Sequence, residues 1–268
     1  MTRIYIITDL EGISGVSAMS QIENGTPEYH EACKRLMADT NAAIRGAFDG
    51  GADEVYVSDG HGGGNNFIEG ELDERAIQCR IVNDPKFDIT KIDAFMHVGT
   101  HALSGTQCAF LDHTQSSLKW HDYLINGKRS GELVQGALLA GAYDIPYIFV
   151  AGDQAACNEA RRFFGDVKVA AVKYAVVRNE AICLPNEEAE QLIYEQAKAS
   201  ISLIGSDDNR PRKIKPYKVT MPMEVKVVFN RADYADDVAR YRNDVERLDA
   251  RTLRRVVDKI VTYYDVLM

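Results

Sequence analysis

Cysteine is scarce and unpatterned in this chain of 268 residues. The five cysteines are odd in number, scattered and not arranged in a recognisable motif. They are Cys33, Cys79, Cys108, Cys157 and Cys183. This usage argues against a disulfide framework and against a cysteine-ligated zinc site, and it is typical of buried thiols in a reducing cytoplasm.

Long apolar runs and an excess of basic charge are also missing. No stretch approaches the ~20 apolar residues of a membrane span, and residues 1–4 lead into a strand-like run without a signal-peptide cleavage pattern. The formal charge of −9 argues against a nucleic-acid partner. We therefore predict a cytoplasmic protein with neither a membrane nor a nucleic-acid partner, and we interpret the short Pro-broken basic stretch 210–215 as a solvated connection.

Strand-like and helix-like segments alternate along most of the chain, which is the pattern of βαβ units. Strands are predicted at 4–8, 53–58, 78–83, 93–98, 146–151, 168–173 and about 218–229. Helices are predicted from Pro27 to Gly50, at about 130–143, and at 154–164, 186–203 and 248–266. The Asn126-Gly127 pair predicts a hairpin, because both central positions of a type I′ turn need positive φ.

These elements predict an α/β fold with a mostly parallel central sheet flanked by helices in three layers, and with a small C-terminal α+β extension. We place the metal-binding catalytic domain at 1–204. The extension at 205–268 is expected to pack on it and to be available for an oligomer interface. The polar, Pro-containing stretch 205–216 is interpreted as the joint between them.

Residues that can bind metals follow three of the strand-like runs. They are Asp9 and Glu11, then His61, then His101. In an open parallel sheet such strand ends gather at one edge, where ligands bind. Two carboxylates and two imidazoles without thiols suit Zn²⁺ or another divalent first-row metal. A carboxylate that bridges two ions is the usual device of two-metal hydrolases, so the residues alone predict a metal-dependent hydrolase.

Each of these residues also has a structural interpretation. Asp9 and Glu11 could belong to a turn or a helix cap, and the glycines around His61 could cradle a phosphate, although the loop lacks the Lys and Ser/Thr of a P-loop. A lone histidine such as His101 is more often a core or turn residue than a ligand. We interpret three further histidines as structural, and local pattern does not assign His113. The three are His30, His97 and His121.

The ordered motifs resemble the D-aminopeptidase family of binuclear zinc peptidases, typified by an enzyme encoded with bacterial dipeptide-transport genes. The motifs are Thr8-Asp9-Leu10-Glu11-Gly12-Ile13-Ser14-Gly15, Asp59-Gly60-His61, Gly99-Thr100-His101, Asn126-Gly127 followed by Gly131-Glu132, Ala151-Gly152-Asp153 and Ala171-Val172-Lys173. The similarity runs in order from residue 3 to about 175, and its most specific part is the opening Asp-x-Glu-Gly-Ile-Ser-Gly.

The resemblance implies a site with two zinc ions per chain. The implied ligands are Asp9, which bridges the ions, and Glu11, His61, His101 and Glu132. The implied catalytic residue is His113, although Asp112-His113-Thr114 stands where the family more often has Ser-His. Family members form a decamer of two stacked five-membered rings around a chamber, so a homo-oligomer is expected.

The implied reaction is hydrolysis of the N-terminal amide bond of short peptides or amino-acid amides. A preference for D-amino acids is suggested by the resemblance alone. Three alternatives remain open from the residues. A two-metal centre also serves other amidases and phosphoesterases, the fold could bind a small ligand without catalysis, and a single metal could have a structural role.

Overall fold

The computed structural model describes residues 1–205 and 213–268. Its strands are β1 (Arg3–Thr8), β2 (Glu54–Asp59), β3 (Ile77–Gln78), β4 (Ala94–Thr100), β5 (Trp120–Ile125), β6 (Lys128–Arg129), β7 (Tyr147–Asp153), β8 (Lys168–Val177), β9 (Glu180–Cys183), β10 (Met223–Phe229), β11 (Glu246–Arg247) and β12 (Thr252–Val257). Its α-helices are α1 (Pro27–Gly50), α2 (Glu132–Ala142), α3 (Gln154–Phe164), α4 (Asn186–Ser200) and α5 (Ala232–Tyr241). Within these residues, no helix is long and apolar enough to cross a membrane.

A seven-stranded sheet forms the larger part of the molecule. Its strand order is β3-β2-β1-β4-β7-β8-β9. All neighbouring pairs are parallel except β8 with β9. Every residue of β4 and of β7 is buried, as expected for central strands covered on both faces. The predicted α/β fold, with a mostly parallel sheet flanked by helices, is confirmed.

Helix α1 has the ends that its sequence predicts. The Thr26 hydroxyl accepts a hydrogen bond from the Tyr29 amide at 3.0 Å, and Pro27 occupies the first helical position. The helix ends at Gly51, whose φ of 108° favours glycine. This cap geometry directs α1 back along the sheet, where it packs closely against α4.

A second, five-stranded sheet is antiparallel, in the order β11-β12-β10-β5-β6. Along β10, buried residues alternate with half-buried ones, which is typical of a sheet with one face on the core. This sheet contains β5 and β6 as well as the C-terminal strands. The domain boundary at 204/205 stays a prediction, but the second sheet is not built from the C-terminal residues alone.

Helix α2 lies between the two sheets. Its Leu133 and Ala137 belong to the core of the seven-stranded sheet, whereas Val134 and Leu138 belong to the core of the five-stranded one. A helix that is apolar on all sides is one that is buried on all sides. The first residue of this helix, Glu132, is therefore held in place by both sheets.

Some predicted elements were wrong. The predicted helix at 248–266 is instead β12 followed by a 3₁₀ turn at Tyr263–Val266, because pairing with β10 decides the conformation of this β-branched segment. The predicted strand at 78–83 is reduced to the two-residue β3, and the strand predicted at 218–229 begins only at Met223. Helix α5 was not predicted. The predicted joint at 205–216 falls largely on 206–212, outside the described residues.

Candidate metal centre

Strands β2, β1 and β4 are neighbours in the parallel sheet, so the residues that follow them meet at one edge. Asp9 follows β1, and His61 lies in the glycine-rich turn after β2. His101 comes directly after β4, and Glu11 lies two residues beyond Asp9. The convergence predicted from the strand ends is present in the structure.

Two glycines allow the loops after β1 and β4 to touch. A Cβ atom on Gly99, whose φ is 80°, would lie 2.1 Å from the Asp9 carbonyl oxygen. A Cβ atom on Gly12 would lie 2.1 Å from the Thr100 carbonyl oxygen. The Gly12 amide donates a hydrogen bond to the Gly99 carbonyl at 2.7 Å. Only glycine fits at both positions, and the close approach brings the Asp9 and His101 side chains together.

The first cluster consists of Asp9, Glu11 and His61, whose ligand atoms all lie within 4.8 Å of one another. The His61 Nδ1 atom lies 3.1 Å from Asp9 Oδ1 and 3.0 Å from Glu11 Oε2. Asp9 and Glu11 are buried, with 8% and 3% of their surface exposed. Two buried carboxylates and one imidazole nitrogen thus face a common point.

The second cluster consists of His101, His113 and Glu132, again within 4.8 Å. The His101 Nε2 atom lies 3.3 Å from Asp9 Oδ2 and 3.4 Å from Glu132 Oε1. Asp9 therefore turns one oxygen toward each cluster, which is the arrangement of a bridging carboxylate.

The imidazole rings of His101 and His113 stack with centroids 3.9 Å apart. The Nδ1 atom of His101 lies 3.1 Å from the Ala102 carbonyl, and that of His113 lies 2.8 Å from the Leu111 carbonyl. A carbonyl only accepts, so each Nδ1 is the protonated donor and each Nε2 is left to face the site. Distance alone does not separate a ligand from a catalytic role for His113.

The charges of the site demand a cation. Burial by itself would lower the pKa of His61, but the hydrogen bonds that its ring donates to Asp9 and Glu11 raise it to about 11. Burial would also lower the pKa of His101, but its contacts with Asp9 and Glu132 raise that pKa well above the usual value. Burial would raise the pKa of Asp9, yet the two histidines hold it well below its usual range. Three carboxylates surround these two imidazoles, so the site favours positive charge, which protons on the imidazoles supply without an ion and which a bound divalent ion would supply in their place.

The residues fit zinc. The two clusters offer carboxylate oxygen and imidazole nitrogen atoms, which are its ordinary ligands besides thiolate. Backbone carbonyls orient two of the imidazoles, as is usual for metal-binding histidines. The structure thus contains two neighbouring groups of side chains that could each hold a metal ion, and Asp9 has one oxygen near each of them.

A buried polar network fixes the loops of the first cluster. Asn66 is not one of the candidate ligands. Its side-chain Nδ2 donates hydrogen bonds to the His61 carbonyl at 2.7 Å and to Asp59 Oδ1 at 2.8 Å. The fully buried Lys173 donates to the carbonyls of Glu11, at 2.7 Å, and Val16. Burial lowers the pKa of Lys173 to about 8.

Other polar side chains fix the second cluster. The backbone amide of Gln115 donates a hydrogen bond to Glu132 Oε1 at 2.7 Å. Glu159 accepts from the amide of Leu103, two residues after His101, at 2.8 Å. Asp153 Oδ2 accepts from the Phe110 amide, also at 2.8 Å, near the loop that carries His113. Of these supporting residues, sequence reasoning singled out Asp153 and Lys173 as parts of motifs, without a role.

A cavity of about 940 Å³ opens at this edge, and all six predicted site residues line it. Sequence reasoning missed two further lining residues, Tyr263 and His97. Tyr263 comes from the five-stranded side, and its hydroxyl lies 3.2 Å from Gln135 Oε1. Burial, together with the negative charges of Glu132 and Asp9, raises the pKa of Tyr263. His97 was interpreted as structural, and it is indeed buried, but its ring also lines the cavity.

Comparison with known proteins gives three findings. The family model of peptidase M55, described as D-aminopeptidase, matches residues 2–268. A D-aminopeptidase of Bacillus subtilis (strain 168) is 30% identical over 213 residues, which are 78% of this chain and 76% of that protein. The solved structure of the Zn-dependent D-aminopeptidase DppA from Bacillus subtilis, described as a self-compartmentalizing protease, superposes with a TM-score of 0.87. The superposition covers 99% of this chain and 95% of the DppA chain, and the two sequences are 25% identical.

Proposed function

The chain belongs to the D-aminopeptidase family, and we propose on that basis that it is a zinc-dependent aminopeptidase that hydrolyses the N-terminal amide bond of short peptides, with a preference for D-amino acids. The observation that carries the proposal is the pair of ligand clusters joined by Asp9, in a cavity large enough for a short peptide.

We assign the ligands by cluster. Asp9, Glu11 and His61 would hold one ion, and Asp9, His101 and Glu132 would hold the other. When bound, the ions supply a water that ionises near neutral pH and a Lewis acid that polarises the scissile carbonyl. The finer points of this assignment, two ions and a bridging Asp9, rest on the distances around Asp9.

His113 is assigned the proton transfers. Its Nδ1 donates to the Leu111 carbonyl, so its Nε2 is unprotonated in the neutral ring and can take a proton from the attacking water and then give it to the leaving amine. That Nε2 lies 3.9 Å from Glu11 Oε1 and 4.0 Å from Glu132 Oε1, between the two clusters. The stacking with His101 holds the ring in this orientation.

We further propose that the protein is a homo-oligomer, and specifically a decamer of two five-membered rings in the cytoplasm, with a role alongside peptide transport. The description of the DppA relative as self-compartmentalizing supports an oligomer. So does a group of exposed apolar residues on the β8–β9 ribbon, since such patches mark interfaces. They are Tyr174, Val176, Val177 and Ile182. Ten chains of 29.8 kDa would have a mass of 298 kDa in light scattering, and a monomer would contradict this part.

The experiment that tests the function measures metal and turnover on one sample purified without added metal or chelator. We expect about two zinc ions per chain and chelator-sensitive hydrolysis of D-alanyl amide in preference to L-alanyl amide. An aryl phosphate in the same panel tests the phosphoesterase alternative. No turnover after zinc is added back would remove the enzyme proposal, and about one ion without turnover would favour a structural metal.

A further inference from the structure

The cavity does not end at the ligand clusters but continues along one face of the seven-stranded sheet. Tyr5 and Ile7 precede Asp9 at intervals of two residues, so they share a face of β1. Ile7 pairs in register with Ser58 on one side and with His97 on the other. All these side chains line the cavity. A row of residues on the sheet thus lies directly below the site where the scissile bond would bind.

Polar atoms without partners are concentrated in this layer. Among the described residues, eight buried side-chain nitrogen or oxygen atoms have no hydrogen-bond partner, and four of them belong to the space between the sheet and α2. The four are Tyr5 Oη, His97 Nδ1, Tyr147 Oη and Gln135 Nε2. Buried polar groups are nearly always hydrogen-bonded, so such a concentration calls for a ligand or bound water.

Two of these four residues, Tyr5 and His97, line the cavity, and the side chains of both are neutral. Burial lowers the pKa of His97 to about 4, so its imidazole is uncharged near pH 7. Burial raises the pKa of Tyr5 well above the usual value, so its hydroxyl stays protonated. The neighbouring wall is apolar, with Ile7, Cys79 and Ile81. A neutral hydrogen-bonding group on a bound ligand would satisfy both the Tyr5 hydroxyl and the His97 Nδ1 atom.

We propose that this lower part of the cavity is the subsite for the side chain of the substrate's first residue, and that Tyr5 and His97 select a neutral side chain with a hydroxyl or carboxamide group. The proposal rests on the proposed aminopeptidase function. Sites built to hydrogen-bond a substrate discriminate strongly against analogues that lack the group, because their own polar atoms are then left unpaired.

The test compares matched pairs that differ only in the hydrogen-bonding group: the amides of D-serine and of D-2-aminobutyrate. The zinc-loaded wild type should favour the serine amide in kcat/KM by about tenfold or more. Tyr5→Phe removes a hydroxyl that makes no hydrogen bond of normal distance and angle among the described residues, so we expect only a small effect on the fold. It should lower the preference severalfold, because only the serine amide loses a hydrogen bond, and it should leave the zinc content unchanged.

His97→Leu should lower the same preference, and His97→Asn should restore part of it because its amide can occupy the position of Nδ1. Tyr147→Phe is the matched control. It removes another orphaned hydroxyl of the same layer, but Tyr147 does not line the cavity, so the preference should not change.

Calorimetry with the free amino acids separates failure of this proposal from failure of the proposed function. D-Serine should bind the zinc-loaded protein more tightly than D-2-aminobutyrate, and Tyr5→Phe should reduce the difference, whether or not the amides are hydrolysed. Suppose that amides are hydrolysed, but that in the wild type the kcat/KM ratio of the two amides and the affinity ratio of the two free amino acids are both near one. The subsite proposal is then wrong, and the unpartnered atoms bind only water. An unchanged preference in both the Tyr5 and His97 variants would overturn it as well.

Discussion

The carboxyl edge of the seven-stranded sheet and the surface of the five-stranded sheet use charge in opposite ways. At the edge, carboxylates and imidazoles are buried and converge on two points. On the five-stranded sheet, Arg254 lies half-exposed between Glu224, at 2.6 Å, and Glu246, at 2.7 Å. Each of these three charged groups has a partner of opposite sign and is in contact with water.

The difference shows where chemistry is located. Exposed ion pairs are already neutralised and contribute little to stability. A buried cluster with three carboxylates is stable only with protons or metal ions among them. We therefore expect the seven-stranded sheet to carry the reaction, whereas the five-stranded side lines the cavity from the other side through Tyr263. The same kind of substitution should therefore affect metal content, activity and stability much more at the carboxyl edge than on the five-stranded sheet.

The largest effect is expected for Asp9→Asn. It removes the charge that lies between the clusters, so zinc content should fall and kcat/KM should drop by more than the 10–100-fold that is typical of residues around the ligands. Metal analysis and amide hydrolysis on the same sample measure both. The control is Asp122→Asn, on β5, where the carboxylate pairs with Arg129 at 2.6 Å. Metal retention and full activity in the Asp9 variant would refute the bridging role.

His113→Ala should reduce kcat by roughly 10²–10⁴-fold while zinc stays bound, because proton transfer is lost but the assigned ligands remain. The matched control is His121→Ala in the five-stranded sheet, where the imidazole is 62% exposed. Its activity should equal that of the wild type. Loss of one zinc ion from the His113 variant would instead make this residue a ligand, and undiminished turnover would exclude a catalytic role.

The convergence of the four candidate ligands at the ends of β1, β2 and β4 could be predicted because their position follows from local runs and from one rule of parallel sheets. Glu132 and His113 could not be placed this way. Glu132 is brought to the site by α2, which packs between two sheets, and the position of His113 depends on a loop fixed by Asp153. Only the resemblance to a family indicated their roles.

The third expected effect concerns stability and its dependence on pH. Burial raises the pKa of Glu159 from 4.5 to about 7. Between these values the folded protein binds the proton more often than the unfolded chain, so the free energy of unfolding falls as pH rises through this window. The penalty, up to about 3 kcal/mol, is complete above pH 7 and absent below pH 4.5.

Glu159→Gln should remove this pH dependence because it keeps an acceptor for the Leu103 amide without the charge. Urea unfolding at pH 4.5 and pH 8 measures it: the variant should gain stability at pH 8 only. The control is Glu246→Gln in the five-stranded sheet, whose carboxylate is 60% exposed and should give no such difference between the two pH values. Equal effects of Glu159→Gln at both pH values would contradict a buried, protonatable carboxyl group.

The contribution of the five-stranded side was hidden from sequence reasoning. The charged, amphipathic pattern at 248–266 favours a helix when it is considered alone, yet pairing with β10 makes its first part a strand. The 3₁₀ turn that follows then directs Tyr263 into the cavity. His97 was missed for the opposite reason: its burial was predicted correctly, but the cavity beside it depends on contacts between distant segments.

The smallest effect is expected for Tyr263→Phe. The hydroxyl shares Gln135 Oε1 with Gln115 Nε2, which lies at 2.8 Å, so the acceptor keeps a partner when the hydroxyl is removed. One neutral hydrogen bond contributes about 1 kcal/mol, so we expect a comparable loss of stability. If the five-stranded sheet only closes the cavity, KM should rise severalfold with kcat and zinc content unchanged. The control is Tyr241→Phe on α5, which is 81% exposed and does not line the cavity, and it should alter nothing. A fall in kcat instead would place a residue of the five-stranded side in the reaction itself and would end the separation between a sheet that carries the chemistry and a sheet that encloses it.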